Sequence, residues 1–181
     1  MTSPDDPHTK MYSHNNGTVP ELLDRLAVAE LCKGWPVYRD ASEWKNYRSL
    51  FTDDATVWTT WTGPLPVDEF ISLSKNGKEN GVFIMHRECS TLVELSPAVR
   101  RAIGKVKATI THRFHFNPTT GTVDPDPVRN TAEFDIDCDC RFIFCERSSE
   151  SGHWKAKYVK LFYAKDKVVP VDGITAPAFT T

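Results

Sequence analysis

The stretch DASEWKNYRSLFTDDATVWTTW, residues 40–61, changes its period halfway along. Trp44, Tyr47, Leu50 and Phe51 recur at the three- and four-residue spacing of one helix face, so a helix is expected over about 42–51. Thr52-Asp53-Asp54 is a turn, because short polar side chains bond their own backbone there. Ala55 to Trp61 is β-branched and aromatic and reads as a strand, ended by Gly63-Pro64. Upstream, Thr18, Pro20 and Glu21 form a helix start: cap residue, early proline, early acid. Leu22, Leu23, Leu26, Ala29 and Leu31 then follow helical spacing, and Gly34 and Pro36 are expected to break or kink that helix near Trp35. Downstream, Pro66 to Ser74 reads as a third, short helix. Beyond Gly81 the texture is strands, at about 82–95, 102–116, 132–147 and 153–165. Helices first and long antiparallel-looking strands afterwards predict an α+β domain, with three N-terminal helices packed on a curved sheet. The domain is expected over residues 18–168. A polar segment, 1–17, precedes it and is expected to be disordered. A tail, 169–181, carries Val171, Ile174 and Phe179 and can dock.

Composition narrows the function classes. The chain has 181 residues, 40% hydrophobic and 25% charged, enough for one ordinary core. A formal net charge of −2 gives no field that would draw nucleic acid or an anionic membrane. No apolar run approaches the roughly 20 residues of a membrane-spanning helix. The start, MTSPDDPHTK, lacks the basic and apolar regions of a signal peptide. The 5 cysteines are odd in number and show no framework spacing, so reduced thiols in a cytoplasmic setting are expected. Cys138 and Cys140 lie two apart without the further ligands zinc needs, and no metal or other cofactor is expected.

Three residues stand out chemically. Asp40 follows the first helix. His86 sits mid-strand in Phe83-Ile84-Met85-His86. His112 shares strand parity with Val106, Ala108, Ile110, Phe114 and Phe116, a polar ring on an apolar face. A carboxylate and two imidazoles in an apolar cavity form an acid–base set, since the carboxylate can fix one ring's tautomer. Each histidine could equally be a hydrogen-bonded core residue. Tyr38, Trp58, Trp61 and Phe83 are candidates to line a cavity, and core packing accounts for them equally well.

On these residues the chain resembles the SnoaL-like, scytalone-dehydratase-like branch of the nuclear transport factor 2/ketosteroid isomerase superfamily. The early aspartate, the Trp after it and the F-x-D-D-A entry to the first strand are similar to the family's. So are a histidine after the third helix, the His86–His112 interval with Gly104 and Phe114, and the WKA that opens the final strand at Trp154. The resemblance spans about residues 20–165. It implies a cone-shaped α+β barrel, Asp40, His86 and His112 as the acid–base set, and no cofactor. In the related hexachlorocyclohexane dehydrochlorinase an arginine joins the aspartate–histidine pair, which makes Arg141 the candidate for such a cation. Asp139 replaces a serine and is placed with the substrate-binding residues. The dehydratase's two water-orienting tyrosines are replaced by Arg39 and Thr59, so scytalone itself is not the expected substrate. Parity puts Asp139 and Arg141 on the charged side of their strand. Either the pocket is polar there, or a bulge shifts the phase, or Arg141 faces solvent. The resemblance implies a cofactor-free lyase or isomerase acting on a small polyketide- or terpenoid-like molecule. The alternative is a binding protein that uses the same cavity without turnover. A dimer or trimer is expected through the sheet's outer face.

Overall fold

The computed structural model describes residues 17–96, 100–115, 131–162 and 165–170, with side chains for all of these except 114–115, 131–140 and 165–170. The segment expected over 1–17 and the tail over 169–181 fall almost wholly outside them. So do the side chains of Cys138, Asp139 and Cys140.

Among the described residues three helices, α1 (Val19–Asp40), α2 (Trp44–Ser49) and α3 (Val67–Glu79), pack on one face of a seven-stranded sheet. The strands are β1 (Phe51–Thr59), β2 (Gly63–Pro66), β3 (Phe83–Ser96), β4 (Arg101–His115), β5 (Thr131–Arg147), β6 (Trp154–Phe162) and β7 (Lys165–Pro170). The order is β2-β1-β6-β5-β4-β3, with β7 added on β5. Only β1 and β6 run parallel. This is the α+β, cone-shaped architecture expected. Two short elements were not foreseen, β2, in a stretch read as a strand end, and β7; and Thr52-Asp53-Asp54, read as a turn, belongs to β1, whose pairing with β6 shifts register between Phe51 and Thr56.

The entry to α1 forms as its residues predict: the Glu21 carboxylate accepts from the Thr18 backbone N–H at 2.7 Å and from its hydroxyl at 3.0 Å. The expected break near Trp35 does not occur, and α1 runs through Pro36 to Asp40. Local propensity loses here to burial, because Gly34, Trp35 and Pro36 all lie on the packed face. Gly34 permits a close approach: a Cβ there would lie 3.0 Å from Leu50 Cδ2 and 3.1 Å from Tyr38 Cε2. Trp35 then anchors the helices through ring contacts with Tyr47 (5.2 Å), Phe51 (5.7 Å) and Phe70 (5.8 Å). The far end of the sheet is tied to α1 by Asp24, which accepts from Trp154 Nε1 at 3.0 Å and pairs with Arg147 at 3.2 Å.

Two bulges decide which residues face the helices. On β3 the register against β4 slips between Glu88 and Ser90, and on β5 it slips opposite Val106–Ala108. Both extra residues sit at one level of β4, whose own alternation is unbroken. Below that level His112, Ile110 and Ala108 pair with Ile84, His86 and Glu88. Above it Val106, Gly104 and Ala102 pair with Arg141, Ile143 and Cys145. Arg141, Ile143 and Cys145 are buried. Of the three alternatives for Arg141, a shifted phase is the one that occurs. Gly104 faces Cys32, whose Sγ would lie 2.3 Å from a Cβ, so this point of contact between α1 and β4 has no room for a side chain. Cys32, Cys89 and Cys145 are free thiols, the first and last buried.

The opposite, outer face carries an aromatic patch. Phe142 meets Phe162 edge-on at 5.6 Å, Phe144 meets Tyr158 at 5.7 Å, and Trp58 meets Phe162 at 6.1 Å. Lys160 stands 4.8 Å over the Trp58 ring.

Candidate functional site

Asp40 is the last residue of α1, and His86 lies on the part of β3 below its bulge. The Asp40 carboxylate accepts twice from His86: from the ring Nδ1 to Oδ1 at 2.7 Å and from the backbone N–H to Oδ2 at 2.7 Å. The double contact holds the ring in one tautomer, Nδ1–H donating, so Nε2 carries the lone pair. Nε2 is buried and finds no hydrogen-bond partner among the described residues. Lys78, from α3, donates to the Asp40 carbonyl and to Ser42 Oγ, which fixes the end of α1.

Electrostatics prepare this pair as carboxylate and neutral imidazole. Burial acts to raise the Asp40 carboxyl, but the His86 hydrogen bond and charge, with Arg39 behind them, outweigh it and leave the group below its usual range. Burial pushes His86 down to about 4, aided by Arg141 and Arg39 and opposed by Asp40. At neutral pH His86 is therefore a base with an open nitrogen.

His112 is diagonal to His86 across β3 and β4, since their register partners are Ile84 and Ile110. Its ring leans on Trp61, with centroids 5.0 Å apart, and makes no hydrogen bond to the described residues. Burial, with Arg39 and His86 nearby, pushes it down to about 3. The hydrogen-bonded state expected of a buried imidazole is thus absent among the described residues, and His112 faces a cavity. That cavity measures about 410 Å³, in the range of small-molecule sites. Trp35, Phe70, Ile84, Ile110, Trp61 and Leu161 supply most of its wall, with Arg39, Ser74, Thr59 and His112 as polar points. Trp61 and Leu73, 48% and 49% exposed, mark its mouth.

Several expectations need correction. Among the described residues, the cavity wall includes His112 but neither Asp40 nor His86, whose side chain is fully buried. Arg141 is also off the wall. It is fully buried, pairs with Glu88 at 3.3 Å across the small Ala108, and stacks 5.2 Å from the Trp35 ring. It supplies positive charge to His86 and not a hand to a ligand. Trp58 lies on the outer face, because the parity of Ala55, Val57 and Thr59 takes the inner one. Phe83 is 46% exposed beneath Arg113, and Tyr38 packs into the core. Of the four proposed aromatics only Trp61 reaches the cavity. Asp139 lies outside the described side chains.

Arg39 and Thr59 entered the sequence reading only as replacements for two water-orienting tyrosines and not as site residues, yet both line the cavity. Arg39 shares a helix stripe with Leu31 and Trp35, at four-residue steps, and a cation on a buried stripe was the available signal. A larger groove, about 570 Å³, lies between the start of β1 and the β5–β6 turn. Its arginines are already engaged: Arg101 with Glu146, Arg147 with Asp24, and Arg100 with the Ser148 carbonyl. Among the described residues no helix is long and apolar enough to cross a membrane.

Comparison with known proteins agrees with this architecture. An uncharacterized protein of Aspergillus terreus is 43% identical over 164 residues, covering 87% of this chain and 58% of its own. Pea pathogenicity protein 2 of Fusarium vanettenii is 40% identical over 163 residues, covering 90% and 64%. The chain thus spans about three-fifths of the length of these curated relatives. Among solved structures, a type 2 hexachlorocyclohexane dehydrochlorinase superposes with a TM-score of 0.64 at 17% identity, covering 87% of this chain and 95% of that one. A putative scytalone dehydratase from Novosphingobium aromaticivorans superposes with a TM-score of 0.60 at 12% identity, covering 89% and 97%. At these identities the structures speak to fold alone. The family model for the SnoaL-like domain matches residues 20–160, and the chain belongs to that family, within the nuclear transport factor 2-like superfamily.

Proposed function

We propose that this protein is a cofactor-free lyase or isomerase, cytoplasmic, that moves a proton on a small cyclic polyketide- or terpenoid-like molecule. The observation that carries this reading is the doubly hydrogen-bonded Asp40–His86 pair with its unpartnered Nε2. His86 takes a proton from carbon beside a carbonyl or leaving group, Asp40 holds the tautomer and stabilises the imidazolium, and His112 hydrogen-bonds the ligand from the wall. Arg141 keeps His86 neutral before the proton arrives. The test is proton exchange. In deuterated buffer, with a panel of cyclic ketones and hydroxyketones, the protein should catalyse deuterium uptake or elimination read by mass spectrometry. His86→Gln should lower that rate about 10²–10⁴-fold, the usual worth of a general base. Tight binding of panel members with no exchange or elimination would sink the enzymatic reading.

One observation favours that second reading, a binding protein without turnover: Ile84 and Ile110 stand in the wall where the His86 ring does not. Reaction at Nε2 requires these side chains to let a ligand atom past.

The outer aromatic patch supports self-association as a dimer or trimer. Phe144 and Phe162 are 37% and 40% exposed beside Trp58 and Tyr158, and contiguous apolar surface of this kind marks an interaction site. Sedimentation at micromolar concentration should show an oligomer that Phe144→Lys dissociates, and a monomer throughout would refute the interface.

A further inference from the structure

Among the described residues, the cavity wall is rich in hydrogen-bond donors and holds no carboxylate. The Arg39 guanidinium sits over the Phe70 ring, its Cζ 5.0 Å from the centroid, with Nη2 at a long 3.4 Å from Ser74 Oγ. Its Nε is buried and without an acceptor among the described residues. Unlike Arg48, Arg101, Arg141 and Arg147, Arg39 forms no ion pair among the described residues. The acid nearest in sequence, Asp40, gives both of its oxygens to His86. Trp35, also in the wall, keeps its indole N–H buried without an acceptor. The second cation there, Lys78, donates to the Asp40 carbonyl and the Ser42 hydroxyl and lies 5.8 Å from the Trp44 ring centroid.

A guanidinium held on an aromatic ring at the edge of an apolar cavity, with its fork uncommitted, is suited to an anionic oxygen group. We infer that this cavity takes a flat, mostly apolar molecule bearing one such group, a carboxylate or a phenolate, with Arg39 as its counter-ion. The inference names the ligand class of the site proposed above and rests on reading this cavity as the ligand site. It makes Arg39 a specificity residue. A negative charge anchored there leaves the remainder of the ligand on Trp35, Phe70, Trp61 and His112.

The experiment is a pair of titrations followed by calorimetry on the full chain. One compares 2-naphthoate with the neutral 2-naphthamide, and the other compares 4-nitrophenolate with nitrobenzene at pH 8.5. At least one anion should bind ten-fold or more tightly than its neutral counterpart, and which pair shows the preference assigns carboxylate or phenolate. Arg39→Gln should reduce that preference to within two-fold without weakening the neutral probe, and Arg39→Lys should keep most of it. Equal affinity for both members of each pair overturns the inference, whatever the variants do. So does a preference undiminished in Arg39→Gln, or no binding of any probe at millimolar concentration. Because binding is read, the same titrations on His86→Gln should show the same preference. A protein without exchange activity but with the Arg39-dependent preference would lose the proton-transfer reading and keep this one.

Discussion

On acidification from pH 7, the denaturant midpoint is expected to fall steeply between about pH 6.5 and pH 3. His86 and His112 are the cause. Their folded values, about 4 and about 3, lie below the ordinary histidine value of 6.5. A group whose folded value is depressed stabilises the fold above its unfolded value and ceases to do so as pH drops through the folded one. The unfolded chain takes up protons first, so stability is lost on the way down. At about 1.4 kcal/mol per pKa unit, the ceilings are about 3 kcal/mol for His86 and about 5 kcal/mol for His112. Asp40, also depressed, adds in the same direction. Glu88, raised chiefly by burial, acts in the opposite one. Against a total stability of roughly 5–15 kcal/mol this is enough to unfold the domain in acid. Urea titrations at pH 7, 5.5, 4.5 and 3.5 read the slope. His112→Phe should flatten it, and a midpoint constant from pH 7 to 4 would show that the two rings are not buried as neutral bases.

Asp40→Asn is expected to lower exchange or elimination about 10²–10⁴-fold while the chain still folds. The carboxylate accepts two N–H groups at once, one on each oxygen. An amide has one oxygen and one NH₂, so either the His86 ring or the backbone N–H loses its acceptor. If the NH₂ meets the ring, His86 must switch to the tautomer that carries its proton on Nε2, and the open lone pair is gone. The charge that steadies the imidazolium is lost in either arrangement. Nitrogen NMR of the imidazole reports this directly, as a change in which ring nitrogen is protonated. Unchanged turnover together with an unchanged tautomer would mean that Asp40 serves only the backbone of β3.

The fold was legible because its signals are local. The period change at Thr52, the alternation of β4 and the cap at Thr18 are each written in a few adjacent residues. Pro36 misled because the burial that overrides it comes from the sheet, distant in sequence. The site was half legible for the same reason. Parity alone puts His112 on the apolar face. Arg141 could not be placed by counting, since the bulge that turns it inward is a property of pairing with β4. Trp58 and Trp61 differ by three residues, an odd step, so alternation alone separates them and leaves Trp61 with the inward set of Ala55, Val57 and Thr59. Arg39 was readable from its four-residue steps to Trp35 and Leu31 and from its place at a water-orienting tyrosine of the family, but that replacement was read as a loss and not as a new site residue.

The two bulges flanking one level of β4 act as a reading-frame boundary for three strands. On either side of it, inside and outside are assigned by opposite counts along β3 and β5, while β4 keeps one count throughout. Deleting the one extra residue of the β5 bulge would restore regular alternation and leave Arg141 and Ile143 opposite Val106 and Gly104, facing the helices as before. The portion of the sheet that bears His86 and His112 and the portion that bears the packed Ile143 and Cys145 are thus separately punctuated. Substitutions that reshape the cavity can accumulate on one side of the boundary without rewriting the core on the other.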